Sequence, residues 1–469
     1  MQLNRVGGQK LLNLFGHFSI VLLVFTPFLY AGGTFEKFQT VQIRSSDGSE
    51  FFSSQQWNSY EPLDTKKLYK DDKPNVLVSL KDRKIKAVGP KIRIVLGKRK
   101  KYQEPVASKV QKDITIDFFS TVFSFNMPDK LKNARFYPQT QKGIGNFYTN
   151  ASYSDYSYLV SEIEKIDKNM NLNDWGLYLL VHKISNKIFS NMDDANLFTW
   201  FVLNKMGYMV RAGIVKKHIV LLFKTKQNVN YVQYYKIGKD FFYAIDPEAE
   251  RGVVYTYSKD APNTDKEFNL ALDSLPNLAL DIQTKRLSFK QQTKEYIFEY
   301  KYNQNLIDFM ATYPQVQSDV FFNAPLDDIS YQSIGKSLKE YLDRKKASTA
   351  LNFVLHFVQN TFKYQTDKEQ FSKEKCMFAQ ETLYYDKSDA EDRVSLFSYL
   401  IRKFFSFNVI GVKYNDHILA GLYIPILGDS VIYEKKKYIV ADRTYCNANI
   451  GENTAKYKLA KPTGFIRLD

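Results

Sequence analysis

The feature that most constrains this chain is a recurrence between its two halves. Shifted by 199 residues, Leu197, Phe198, Thr199 and Trp200 fall on Leu396, Phe397, Ser398 and Tyr399. Asp193 falls on Asp392 and His218 on His417. After a three-residue gap "YAIDPE" meets "IVADRT", which places Asp246 on Asp442. The whole chain has five histidines, so a matched pair is informative. In each copy apolar residues recur first at helical spacing and then in short runs rich in β-branched and aromatic residues. Helices followed by strands, used twice, imply an internal duplication.

The rest of the chain divides around those copies. At 469 residues it exceeds one compact core, so several domains are expected. Residues 33–150 contain "PNVLVSL", "RKIKAV", "PKIRIVLG" and "DITIDFFSTVFSF", short runs between Asp, Lys, Gly and Pro turns. They are expected to form a β-sandwich-like domain. The first copy occupies 151–284, with Gly207 as the stop of its last helix. Residues 285–345 form a connecting segment with the strand-like "EYIFEYKY" and the helical "NQNLIDFMATY". A second helix there has Ser333 as its candidate N-cap. The second copy runs from 346 to 469. The fold class expected is α+β, a β-domain followed by two α+β modules.

The N-terminus and the charge bear on location and partners. Arg5 and Lys10 precede an apolar stretch, Phe18–Tyr30, that ends at the small residue Ala31. This is the form of a signal peptide or signal anchor over 1–31. Gly16, His17 and Pro27 interrupt the longer apolar segment that begins at Leu11, which favours cleavage over a stable span. Export to the periplasm or cell envelope is therefore expected, with the chain either soluble or tethered at its N-terminus. Lys and Arg number 66 against 50 for Asp and Glu, a net charge of +16. That excess favours an anionic partner, such as an envelope polysaccharide or a lipid surface. The densest basic run, "KIRIVLGKRKKYQ", reads as a strand and a basic turn, so no nucleic-acid partner is expected. Two cysteines, Cys376 and Cys446, do not make a disulfide framework, although in an oxidising compartment they could pair.

Chemistry concentrates in "KSDAEDRVSLFSYLIRK", where Asp389, Glu391 and Asp392 crowd the start of an amphipathic helix around one alanine, Ala390. A nucleophile at a helix N-terminus gains from the helix dipole. A His on a neighbouring strand can take its proton, and an Asp behind the His orients the ring. His417 and Asp442 stand in that order.

These residues carry a resemblance. The block from about 350 to 455 resembles transglutaminase-like domains, whose nucleophile segment reads G-D-C-E-D-R. Here Asp389, Glu391, Asp392 and Arg393 match in "SDAEDR". "YNDHILAGLYI" resembles the family's histidine strand, and "FVQNTFKYQTD" the helix before the nucleophile. "YIVADRTYCNANIG" resembles the ending D-P-T-Y-x-x-A-x-I-G, with Arg443 in place of Pro. The resemblance implies a papain-like α+β fold for the second copy and, in degenerate form, for the first. It implies a site of Ala390, His417 and Asp442 in which the catalytic cysteine is replaced by Ala390. In the first copy Asn191 aligns with that position and is no substitute.

Bland readings stand beside the sharp ones. Cys376 and Cys446 read as structural cysteines, and Ser388 as a turn residue. His182 and His356 lie within helical patterns as structural histidines, and Asp246 before Pro247 reads equally as a strand-ending turn. Glu391 and Asp392 complement the helix dipole; in the family reading Asp392 and Arg393 form an ion pair behind the site. No His or Cys cluster has metal-ligand spacing, so no metal or cofactor is expected. The function expected is an exported, catalytically inactive protein that binds a peptide or protein in the envelope. Two alternatives remain: an active cysteine peptidase or acyltransferase whose cysteine has been substituted at 390, and a non-covalent hydrolase using His417.

Overall fold

The computed structural model describes residues 38–41, 43–44, 113–246, 248–257, 260–442 and 447–468, the first two stretches by backbone alone. The segment 1–31, the strand runs expected between 75 and 112, and Arg443 and Cys446 lie outside these residues.

Two short strands, β1 (Phe38–Val41) and β2 (Ile43–Arg44), come first. A hairpin follows, β3 (Ile114–Phe118) with β4 (Thr121–Phe125), and then α1 (Asp129–Lys132) and α2 (Gln141–Ser152). The described part of 113–150 is thus a hairpin and two helices. The expected sandwich overlooked the helical spacing of Ile144, Phe147 and Ala151, which bury one face of α2.

The first copy consists of α3 (Tyr156–Met170), α4 (Asp174–Ile188) and α5 (Met192–Lys205), then β5 (Val210–Val215) and β6 (His218–Phe223). It ends with β7 (Gln233–Ile237), β8 (Asp240–Ala244) and β9 (Val254–Tyr257). Gly207, at φ 92°, follows α5 where the helix stop was expected.

The connecting segment opens with a long hairpin, β10 (Ile282–Gln291) and β11 (Lys294–Asn303). After it come α6 (Gln304–Ala311), α7 (Ser318–Asn323) and α8 (Asp328–Leu342). Ser333 does not cap α8. The cap is Asp327, whose carboxylate accepts from the N–H groups of Ile329 and Ser330, while Ser333 lies a turn and a half inside. A carboxylate that also receives Gln380 Nε2 at 2.7 Å wins the helix start.

The second copy has α9 (Ala347–Thr361), β12 (Lys363–Tyr364), α10 (Asp367–Phe371), α11 (Ala379–Tyr384) and β13 (Lys387–Ser388). Then come α12 (Ala390–Phe405), β14 (Val409–Lys413), β15 (Ile418–Leu422), β16 (Ser430–Tyr433) and β17 (Lys436–Ala441). A short α13 (Ala455–Lys458) precedes β18 (Gly464–Arg467).

The architecture is α+β, with two curled sheets. One runs β1-β9-β5-β6-β8-β7-β2, the other β16-β17-β15-β14-β18. Without β1 and β2, the first reads β9-β5-β6-β8-β7, which is the order of the second taken from its far end. The hairpins agree as well. Val215 pairs with His218 across a two-residue turn, and the Tyr414 N–H donates to the His417 carbonyl across another. The helix starts depart from the 199-residue shift by one place, because Asn191 is itself the N-cap of α5 while Ala390 is the first residue of α12. By capping role Asn191 corresponds to Asp389.

One continuous apolar core runs through both copies and the connecting segment, from Ile114 to Leu468. The inner faces of the curled sheets form two smaller clusters, Val215, Val220, Leu222 and Tyr235 among the first, Ile410, Val412, Leu419 and Tyr438 among the second. Strands buried on both faces explain the unbroken apolar runs in their sequence.

Candidate active site

The first turn of α12 builds one side of the site. Asp389 accepts from the N–H groups of Glu391 at 2.8 Å and Asp392 at 3.1 Å, and the Asp389 N–H donates to Asp392 Oδ2 at 3.1 Å. This reciprocal capping box leaves Ala390 half-buried at the first helical position. Short connections bring the other side to it. β14 runs back along α12, so the β14–β15 turn returns to the helix start. Ser318 joins them: its hydroxyl donates to Glu391 at 2.6 Å and accepts from Lys413 Nζ at 3.3 Å.

His417 follows that turn, and Asp442 follows β17, which pairs with β15. His417 Nε2 lies 3.2 Å from Asp442 Oδ1, with side chains 9% and 1% exposed. The expected His–Asp pair is assembled. Tyr457 of α13 stacks on the imidazole, ring centroids 4.9 Å apart. Its hydroxyl donates to Asp416 at 3.1 Å, which holds it there.

Two side chains tie the halves together: Gln359, unremarked in the sequence, and Arg393. Gln359 Nε2 donates to the carbonyls of Asp442 at 2.8 Å and Ala448 at 3.1 Å. Arg393, buried, donates to the carbonyls of Gln359 at 3.2 Å and Phe362 at 2.6 Å and to Ser388 Oγ at 3.0 Å. The expected ion pair of Arg393 with Asp392 gives way to these bonds, because successive helical residues point about 100° apart. Ser388 is no turn residue. It is buried on β13, which pairs in parallel with β12.

Asp392 is buried and accepts from the Met377 N–H at 2.8 Å. One of its carboxylate oxygens lies with one each from Asp367 and Asp389, all within 4.8 Å of one another. Burial raises all three pKa values, and the neighbouring carboxylates raise them further: Asp392 well above its usual range and Asp367 to about 7. Carboxylates so crowded keep their protons to higher pH than exposed ones do. These three are also the side chains that could ligate a cation, and nothing further about them points to one.

Of the two cysteines only Cys376 is among the described residues, and it offers no nucleophile. Cys376 is free and buried, and its pKa is pushed well above the usual thiol range by burial and then by Glu391, Asp392, Asp389 and Asp367. A neutral, enclosed thiol is a poor nucleophile.

The first copy is wired differently. His218, with a 62% exposed side chain, lies 3.3 Å from Asp193 on the first turn of α5, and the Ile219 N–H donates to the same carboxylate at 2.7 Å. Asp246 accepts instead from the Glu248 N–H at 2.9 Å. Its charge opposes the fall in the His182 pKa that burial causes. Of the histidines expected to be structural, His356 is buried on α9 with Nδ1 2.6 Å from Gln291 Nε2. Among the described residues no helix is long and apolar enough to cross a membrane. No family model, no curated protein and no solved structure matches this chain.

Proposed function

We propose that this protein is a transglutaminase-like pseudoenzyme of the cell envelope, binding a peptide or protein beside α12 without turning it over. The observation that carries the reading is the His417–Asp442 pair, taken together with the alanine that opens α12. A methyl group cannot attack a carbonyl, so covalent transfer through 390 is closed. The net charge of +16 supports an anionic polymer or lipid surface as a further partner.

The test compares the unmodified chain with Ala390→Cys in amide hydrolysis and amine incorporation. The expected outcome is no turnover by the first. In the second, turnover or iodoacetamide labelling should be at least about tenfold faster than at Cys376, because His417 would hold the thiol proton. Thiol-independent turnover by the unmodified chain would overturn the reading.

A further inference from the structure

A cavity of about 360 Å³ opens between α3, the end of α5 and the loop at 262–263, away from α12. Its size is at the lower end of ligand pockets. Lys205 lies on one wall. Its ammonium is 4.9, 4.9 and 5.1 Å from the ring centroids of Tyr148, Tyr156 and Phe201 and donates to the Tyr148 hydroxyl at 3.2 Å. Three rings and one hydroxyl hold the cation in place, and among the described residues no carboxylate lies within ion-pairing distance. The bland account is that Lys205 complements the C-terminus of α5. That does not account for a second unpaired charge in the same cavity.

That charge is Glu164, exposed on α3, which has no lysine or arginine partner among the described residues. Glu164 and Tyr156 are eight residues apart on one helix, about 12 Å along its axis. Lys205 packs on the Tyr156 ring at one end of that wall, so its ammonium and the Glu164 carboxylate stand on the order of 10 Å apart, too far to neutralise each other. They are also too far apart for the ends of a single amino acid. Between them the cavity presents the hydroxyls of Ser157 and Ser161, suited to peptide N–H and C=O groups, with Val160 as apolar floor.

We infer that this cavity binds a short peptide with free ends, its carboxylate on Lys205 and its ammonium on Glu164. An extended peptide advances about 3.3–3.6 Å per residue, so two or three residues span the gap. The inference does not rest on the reading of Ala390, and either can fail without the other.

Calorimetric titration of the full chain with dialanine tests it, with N-acetyl-dialanine, dialanine amide and free alanine as comparisons. Dialanine is expected to bind, and blocking either end should weaken binding at least tenfold. Lys205→Met keeps the stem on the rings and should abolish the preference for the free carboxylate alone. Glu164→Gln, at an exposed position, should abolish only the preference for the free amine. Circular dichroism of both variants checks the fold, and the exposed Glu164 variant carries the test if Lys205→Met does not fold. No dialanine binding up to about 10 mM, equal binding of the blocked forms, or equal binding of free alanine would overturn the inference.

Discussion

Asp367 shows how a single side chain in the site responds to pH. Its folded pKa is raised to about 7 by burial and then by Asp389, against about 3.9 in an unfolded chain. The neutral form is therefore the one the fold prefers. Its contribution is full below about pH 4 and is lost as pH rises through 7. Asp389 and Asp392, also raised, act in the same direction. Denaturation midpoints should thus fall between pH 5 and 8. Asp367→Asn keeps an oxygen for the Lys375 N–H, now 3.0 Å from the carboxylate. It should raise stability at pH 8 and flatten the profile; an unchanged slope would count against the buried carboxylate cluster. None of this was legible locally, since Asp367 lies more than twenty residues from Asp389 and reads alone as an N-terminal helix acid. Asp389 and Asp392, by contrast, were legible as an acidic helix start, because that is a pattern of neighbours.

At the scale of elements, the segment after Asp442 is held beside the loop before β16 by two glycines in backbone contact. A Cβ on Gly451 would come 2.9 Å from Gly428 Cα and 3.1 Å from the Leu427 carbonyl oxygen, at φ 87°. Gly451→Ala should cost about 2–3 kcal/mol in chemical denaturation, from strain and overpacking together. Gly145 is the control: it lies inside α2, and a Cβ added there would meet nothing within 4 Å. There alanine should stabilise by about 0.5–1 kcal/mol. Helices with strong periodicity, α9 and α12 above all, were readable in advance, as was the stop at Gly207. The start of α8 was not, because the choice between Asp327 and Ser333 depends on Gln380, brought in from α11.

Across the whole molecule the two copies are joined rather than strung. Val229 bridges Val316, and the Asn230 N–H donates to the Gln315 carbonyl at 2.6 Å, while Gln315 Oε1 accepts from the Cys376 N–H at 2.6 Å. With one shared core, unfolding should be a single transition. In a Trp57→Phe background tryptophan fluorescence reports the first copy through Trp175 and Trp200, and thiol labelling in a Cys446→Ser background reports the second through Cys376. Their denaturant midpoints should coincide; a separation beyond roughly 0.5 M would show two independent units.

Sequence alone determined the two helix-and-strand copies, the acidic start of α12 with Ala390 inside it, and the placing of His417 and Asp442 at the ends of strands. Periodicity and capping are properties of near neighbours, and a repeat is visible without coordinates. Only the tertiary structure decided that His417 meets Asp442 while His218 turns to Asp193. It also decided that Arg393 reaches carbonyls rather than Asp392, and that Lys205 and Glu164 line one cavity. Those outcomes depend on which side chains packing brings within a few ångströms, across separations that no local pattern records.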